Sequence, residues 1–256
     1  MLLAIDIGNT NVVFALCDAE STLHQWRIRT EVHRTADEYA VWLFALMHEL
    51  GISREVVAQV AIASVVPEAN FALKSFAREY LKCEPLLFLS GDMVCDMPVL
   101  IDNPHELGAD RLINAYAAWQ THKTALIVID FGTATTFDVV SVRGEYIGGV
   151  IAPGINLSLE ALQKAAAKLH GVAINRPAKA IGTNTTAAMQ SGIYFGYAGL
   201  IEGILARITA ELGTAPRVIA TGGLATLYAT ATTHIHDVDE DLTIRGIRLM
   251  VQAAKA

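Results

Sequence analysis

One pattern occurs twice in this 256-residue chain, half a chain length apart. Leu2-Leu3-Ala4-Ile5-Asp6-Ile7-Gly8-Asn9-Thr10 is followed by Asn11 and the apolar run Val12–Leu16. Ala125-Leu126-Ile127-Val128-Ile129-Asp130-Phe131-Gly132-Thr133-Ala134-Thr135-Thr136 is followed by Phe137–Val140. Each copy reads as a short apolar strand, an Asp, one apolar residue, a Gly, small hydroxyl or amide residues and a second strand. The two aspartates lie 124 positions apart, so a fold that accommodates one copy must accommodate the other in an equivalent place. The second strand of each copy suits an antiparallel partner.

The halves agree beyond the turns. A helical stretch over Ala36–Leu50 precedes the buried strand Val57–Ser64, and a second over Thr186–Leu212 precedes Arg217–Thr221. Both strands run into loop signals, Val65-Val66-Pro67 and Gly222-Gly223. Ser158–Leu169, with Lys164 and Lys168 on its polar side, and Leu242–Ala254 also read as helices. Strands alternating with helices predict two α/β domains, each a mixed sheet flanked by helices. We expect the boundary near residues 115–122, giving domains 1–117 and 118–256, with both Asp-x-Gly turns at a cleft between them.

The turns carry the strongest chemical signal. A glycine admits close backbone approach by a phosphoryl group, and Asn9, Thr10, Thr133, Thr135 and Thr136 offer hydrogen-bond donors. Asp6 and Asp130 can each hold a cation that offsets phosphate charge. One such turn alone is what any tight hairpin shows; the duplication is what favours a ligand. Thr221-Gly222-Gly223-Leu224-Ala225 is a further place where a flat ring or phosphate can approach backbone. Neither GxxxxGK[ST] nor GxGxxG occurs, so P-loop and Rossmann readings lose their main support.

Composition narrows the partners. Apolar residues make up 53% of the chain and charged residues 18%, enough core-forming material to exclude wholesale disorder. The net charge of −7 argues against coating nucleic acid, which needs clustered Lys and Arg. Three cysteines without a CxxC argue against a disulfide framework or a zinc ribbon. The most membrane-like stretch, Gly192–Ile201, is cut by Glu202 and is too short to span. With a strand pattern beginning at Leu2, the expectation is a soluble cytoplasmic protein that binds no nucleic acid and no membrane.

Four motifs in order then become specific together: Asp6-Ile7-Gly8-Asn9-Thr10; Asn103-Pro104-His105-Glu106-Leu107-Gly108-Ala109-Asp110-Arg111; Asp130-Phe131-Gly132-Thr133-Ala134-Thr135-Thr136; and Gly148-Gly149-Val150-Ile151-Ala152-Pro153-Gly154. The series resembles type III pantothenate kinase. The resemblance implies two ribonuclease-H-like domains of the actin-like ATPase type. It implies ATP-dependent phosphorylation of pantothenate to 4′-phosphopantothenate, the first step of coenzyme A biosynthesis. It places ATP phosphates on Asp6, Ile7, Gly8, Asn9, Thr10, Asn11, Val12 and Val13, with Asp6 also holding Mg²⁺, directly or through water, and Thr133 contacting ATP. It makes Asp110 the general base and lines the substrate site with Gly108, Ala109, Asp110, Arg111 and Thr185. It gives Asp130 a monovalent cation, K⁺ or NH₄⁺, and makes the protein a homodimer. One departure stands out: Ile101 occupies a position where many members carry Tyr, which bears on pantothenate affinity.

The chemistry of the residues agrees with that picture. Phosphoryl transfer is dominated by positioning and charge neutralisation. An Asp beside an Arg can orient an alcohol while the guanidinium forks onto a carboxylate; the plain alternative is a surface ion pair at a helix start. His105 is a rival base. Other readings remain open: another small-molecule kinase of the same superfold, or a non-catalytic ATP-binding regulatory protein. His234 and His236, followed by acidic residues, read as a solvated turn more readily than a metal site. Gly192, Gly196, Gly199 and Gly203 would allow a helix to approach closely, in the core or across a dimer.

Overall fold

The structure, a computed structural model, describes residues 1–89, 95–165 and 172–254. Lys168 and Leu169, the end of the helix expected from Ser158, lie outside these. The chain divides into two units, Met1–Gln120 with Asp241–Ala256, and Thr121–Glu240.

In the first unit, β1 (Leu2–Ile7), β2 (Asn11–Cys17) and β3 (Thr22–Arg29) form an antiparallel meander, and β4 (Gln59–Ser64) and β5 (Leu86–Leu89) add in parallel, giving the order β3-β2-β1-β4-β5. The central β1 reads as a continuous apolar run because both its faces are covered. The edge strand β3 alternates between half-buried and exposed residues, the period of a half-solvated strand. Helix α1 (Ala36–Glu49) starts where the sequence stops being extended: Thr35 Oγ1 accepts from the Glu38 N–H while Glu38 reaches back to the Thr35 N–H, a reciprocal cap. Helix α2 (Pro67–Tyr80) begins with proline at its first turn, where no N–H is needed. Phe14, Tyr39, Trp42 and Phe76 meet in the core between α1, α2 and the sheet.

Helix α3 (Ala109–His122) leads into the second unit. There β6 (Leu126–Phe131), β7 (Ala134–Val140) and β8 (Tyr146–Pro153) are antiparallel, and β9 (Arg217–Gly222) and the short β10 (Asp237–Val238) are parallel. The order β8-β7-β6-β9-β10 is that of the first sheet, strand for strand. Even a register slip is duplicated: the β2–β3 ladder shifts between Leu16 and Cys17, and the β7–β8 ladder between Val139 and Val140. Helices α4 (Ile155–Ala165), α5 (Thr185–Leu212) and α6 (Ala225–Ala229) follow, and the core holds Ile127, Ile129, Phe137, Tyr194, Ile201 and Tyr228.

The last helix, α7 (Leu242–Ala253), returns to the first unit, although the expected division placed it with residues 118–256. It packs against β1 and β4. Thr243 Oγ1 donates to Asn114 Oδ1 (2.8 Å), and the Arg248 and Gln252 side chains both donate to the Ala19 carbonyl (2.6 and 2.8 Å). Its buried residues Leu242, Ile244, Ile247, Met250 and Val251 form the apolar face that its sequence period announces.

Candidate active site

In the first unit the repeated turn closes β1 onto β2. Asp6 pairs with Val13 and Ile7 with Val12, leaving Gly8-Asn9-Thr10-Asn11 as the loop. The Gly8 N–H donates to the Asn11 carbonyl (3.0 Å). Ile7, Val12 and Val13 have buried side chains, so only their backbone can serve a ligand, whereas Asn9 and Thr10 are exposed and Asp6, Gly8 and Asn11 half-buried. Thr30, just past β3, holds the loop from outside: its N–H donates to the Thr10 carbonyl (2.9 Å) and its hydroxyl to the Gly8 carbonyl (2.6 Å).

The second carboxylate of this unit opens α3. Gly108 takes the helix's first hydrogen bond, from the Leu112 N–H (3.2 Å), and Asp110 Oδ1 accepts from the Arg111 N–H (2.8 Å). The carboxylate folds back over Gly108 so closely that a Cβ there would stand 2.6 Å from Oδ1. Burial pushes the Asp110 carboxyl above the ordinary aspartate range, overcoming the pull of the Arg111 N–H and guanidinium. A carboxylate so placed is a better proton acceptor than a solvated one. His105, the rival base, lies exposed in the short 3-10 turn Pro104–Glu106.

In the second unit the turn between β6 and β7 is one residue shorter. Asp130 pairs with Thr136 and Phe131 with Thr135, so only Gly132, Thr133 and Ala134 remain, with the Gly132 N–H donating to the Ala134 carbonyl (3.1 Å). Asp130 is half-buried and Thr133 exposed. Two other donors offered by the sequence are not available. The Thr135 side chain is fully buried on the core face of β7, and Thr136 donates to Asp138 Oδ2 (3.1 Å). Asp138, itself fully buried, also accepts from the Tyr146 hydroxyl (2.7 Å). Beside Asp130 the chain end of β9 makes a close approach. Gly222 has φ +88°, a left-handed conformation, and a Cβ on it would stand 2.6 Å from Asp130 Oδ1 and 2.7 Å from the Phe131 carbonyl oxygen.

Thr185 is exposed in the first turn of α5, next to the cap made by Asn184 Oδ1 with the Ala187 N–H (2.9 Å). The remaining sequence candidates separate from these. His236 Nδ1 accepts from the Val218 N–H (3.0 Å), so it finishes the β9 edge, and among the described residues no group of three or more His, Cys, Asp or Glu could hold a metal ion. Gly192, Gly196 and Gly199 lie on the exposed side of α5, and among the described residues a Cβ at any of them would meet nothing within 4 Å, so no described core element packs on that stripe. Cys17 and Cys95 are free thiols whose pKa burial raises, the latter to about 11, which leaves them poor nucleophiles. No helix among the described residues is long and apolar enough to cross a membrane. Sequence reasoning missed Thr30, which holds the first turn; its only signal would have been position, one residue past a third strand.

Two sheets of order 3-2-1-4-5, each with an Asp-x-Gly hairpin between its first two strands, define an actin-like fold. A ROK hexokinase from Thermus thermophilus shares this fold, with a TM-score of 0.53 at 12% identity, covering 100% of this chain and 99% of that one. The family profile of type III pantothenate kinase matches residues 2–207. The type III pantothenate kinase of Paramagnetospirillum magneticum is 55% identical over 96% of this chain and 95% of its own length, and that of Rhodospirillum rubrum 52% identical over 98% and 97%. The chain belongs to the type III pantothenate kinase family.

Proposed function

We propose that this protein transfers the γ-phosphoryl group of ATP to the 4′-hydroxyl of pantothenate, opening coenzyme A biosynthesis in the cytoplasm. The observation that carries this reading is identity above 50% along nearly the whole chain to proteins of that name. In this reading the loop from Asp6 to Val13 receives the ATP phosphates through backbone N–H groups and the side chains of Asn9, Thr10 and Asn11. Thr133 contacts ATP from the second turn. Asp110 orients the pantothenate hydroxyl and takes its proton late in a loose transition state. Arg111 pairs with the substrate carboxylate, Gly108 and Ala109 line the site with backbone, and Thr185 adds a hydroxyl.

Asp6 and Asp130 offer carboxylate oxygens, the ligand chemistry of hard cations. A Mg²⁺ at Asp6 would be completed by ATP and water, and a K⁺ or NH₄⁺ would lie at Asp130. Both cations would supply charge neutralisation at the phosphates. A homodimer is part of the reading: Leu157, Leu162, Ile181 and Phe195 are exposed, as is the glycine-lined side of α5, and a second copy would cover such apolar surface.

The test is a coupled assay with ATP, Mg²⁺ and pantothenate in potassium and in sodium buffer, with 4′-phosphopantothenate identified by mass. Product that depends on potassium is expected. Absence of product in potassium at high ATP defeats the proposal, and turnover of a sugar in its place would point to another kinase of the class.

A further inference from the structure

The Thr133 turn is held from behind by a bracket that the reaction itself does not use. The Gly154 N–H donates to the Thr133 carbonyl (3.1 Å), and the Gly154 carbonyl accepts from the Ser158 N–H (2.9 Å) as α4 begins. The preceding carbonyl, on Pro153, accepts from the Tyr197 hydroxyl (2.7 Å). That hydroxyl also lies 2.6 Å from Ser158 Oγ. Tyrosine has one hydroxyl proton and Pro153 receives it, so Ser158 is the donor to Tyr197. The result is a closed circuit, Thr133 to Gly154, Pro153 to Tyr197, Tyr197 to Ser158 and Ser158 back to Gly154. It ties β8, α4 and α5 to the tip of one hairpin. Tyr197 is buried, so the orientation of its hydroxyl is set by packing as well as by hydrogen bonding.

We infer that Tyr197, with Ser158, is a positioning residue for ATP, fixing the Gly132–Thr133 turn through the Pro153–Gly154 backbone. The inference rests on the reading of Thr133 as an ATP contact. Removing the Tyr197 hydroxyl leaves the ring in place and unties Pro153, so the turn loses definition, while Gly108–Arg111 belong to the first unit and Thr185 stands twelve residues before Tyr197 at the start of α5, outside the bracket.

The experiment compares the full-length chain with its Tyr197→Phe, Ser158→Ala, Thr133→Ala and Tyr228→Phe variants, measuring the ATP dissociation constant by calorimetry, KM for ATP and for pantothenate, and thermal stability. Tyr197→Phe is expected to weaken ATP about fivefold, the equivalent of one hydrogen bond, with KM for pantothenate unchanged. Ser158→Ala moves ATP the same way by less, and carries the test should Tyr197→Phe fold poorly. Tyr228→Phe is the structural control, since its hydroxyl donates to the Ile193 carbonyl (3.4 Å) in the same aromatic cluster without touching the bracket. It should change stability alone. Unchanged ATP binding in both Tyr197→Phe and Ser158→Ala, or an equal loss in Tyr228→Phe, overturns the inference. If Thr133→Ala weakens ATP and the bracket variants do not, the bracket falls and the ATP reading of Thr133 stands; if no variant alters ATP binding, both fall.

Discussion

The turn between β1 and β2 and the turn between β6 and β7 are two solutions to one design. Up to the glycine their residues correspond at a spacing of 124, through the second strand at 123, so that Thr10 answers to Thr133 and Asn11 to Ala134, and in the third strand at 124 again, so that Arg29 answers to Pro153. Asn9 is the extra residue. The same backbone bond survives the change, Thr30 N–H to the Thr10 carbonyl in one and Gly154 N–H to the Thr133 carbonyl in the other. What differs is the space behind it. The longer loop leaves room for the Thr30 side chain, which then bonds Gly8. The shorter loop draws its tip onto the third strand, and a Cβ at position 154 would collide with the Thr133 carbonyl oxygen and stand 2.7 Å from that of Gly132. One turn is braced by a side chain as well as by backbone; the other is packed by backbone, between Gly154 and Gly222. Deleting a single loop residue therefore changes which amino acids its neighbours can be.

Four substitutions test this contrast, in falling order of effect. Asp110 has no counterpart in the repeat, so neither turn can replace it. Asp110→Asn should lower kcat about 10²- to 10⁴-fold with ATP binding retained; near-normal turnover would move the base elsewhere, with His105 first. The same variant should be more stable than the parent at neutral pH. A raised folded pKa means the folded protein binds the proton more tightly, so the parent loses stability as pH rises from the unfolded value, about 3.9, to the folded one. The stability gap between variant and parent should open over that window, remain above it and close below it, as denaturant titrations at stepped pH will show.

Second, Gly154→Ala should cost about 2–4 kcal/mol in unfolding free energy, because a backbone oxygen cannot swing aside. A cost below 0.5 kcal/mol in chemical denaturation would mean the shorter turn is not clamped. Third, Gly222→Ala should cost about 1–3 kcal/mol for its left-handed backbone and displace the Asp130 carboxylate. It should raise the potassium concentration for half-maximal activity, whereas Ser64→Gly, at the matching position in the first sheet, should leave that midpoint alone. Fourth, Thr30→Val removes one hydrogen bond from the first turn. It should cost about 1 kcal/mol and raise KM for ATP less than Tyr197→Phe does; a larger rise would reverse the ranking of the two turns.

Much of this was legible because the repeat is local. Asp6 and Asp130 fall at strand ends since an Asp-x-Gly between two apolar runs has few other options, and α1, α5 and α7 follow from apolar period and caps. The helix after Gly108 was visible only as an Asp–Arg pair at a possible start. The one-residue difference between the turns could not be read, since Asn9-Thr10 and Thr133 match equally well until strand register fixes the alignment. The roles of Thr135 and Thr136 were misjudged for a related reason: a strand sends alternate hydroxyls to opposite faces, one into the core and the other to Asp138, and composition does not say which face a ligand meets. The place of α7 was out of reach, since nothing in residues 242–253 names the sheet they will cover.

That helix has a consequence for the order of events during translation. Every strand and helix of the second unit is encoded between residues 121 and 240, so it can assemble while the ribosome is still working. The first unit, begun earlier, exposes the flank of β1 and β4 until α7 begins, 178 residues after the end of β4. The half that is made first is the half that finishes last.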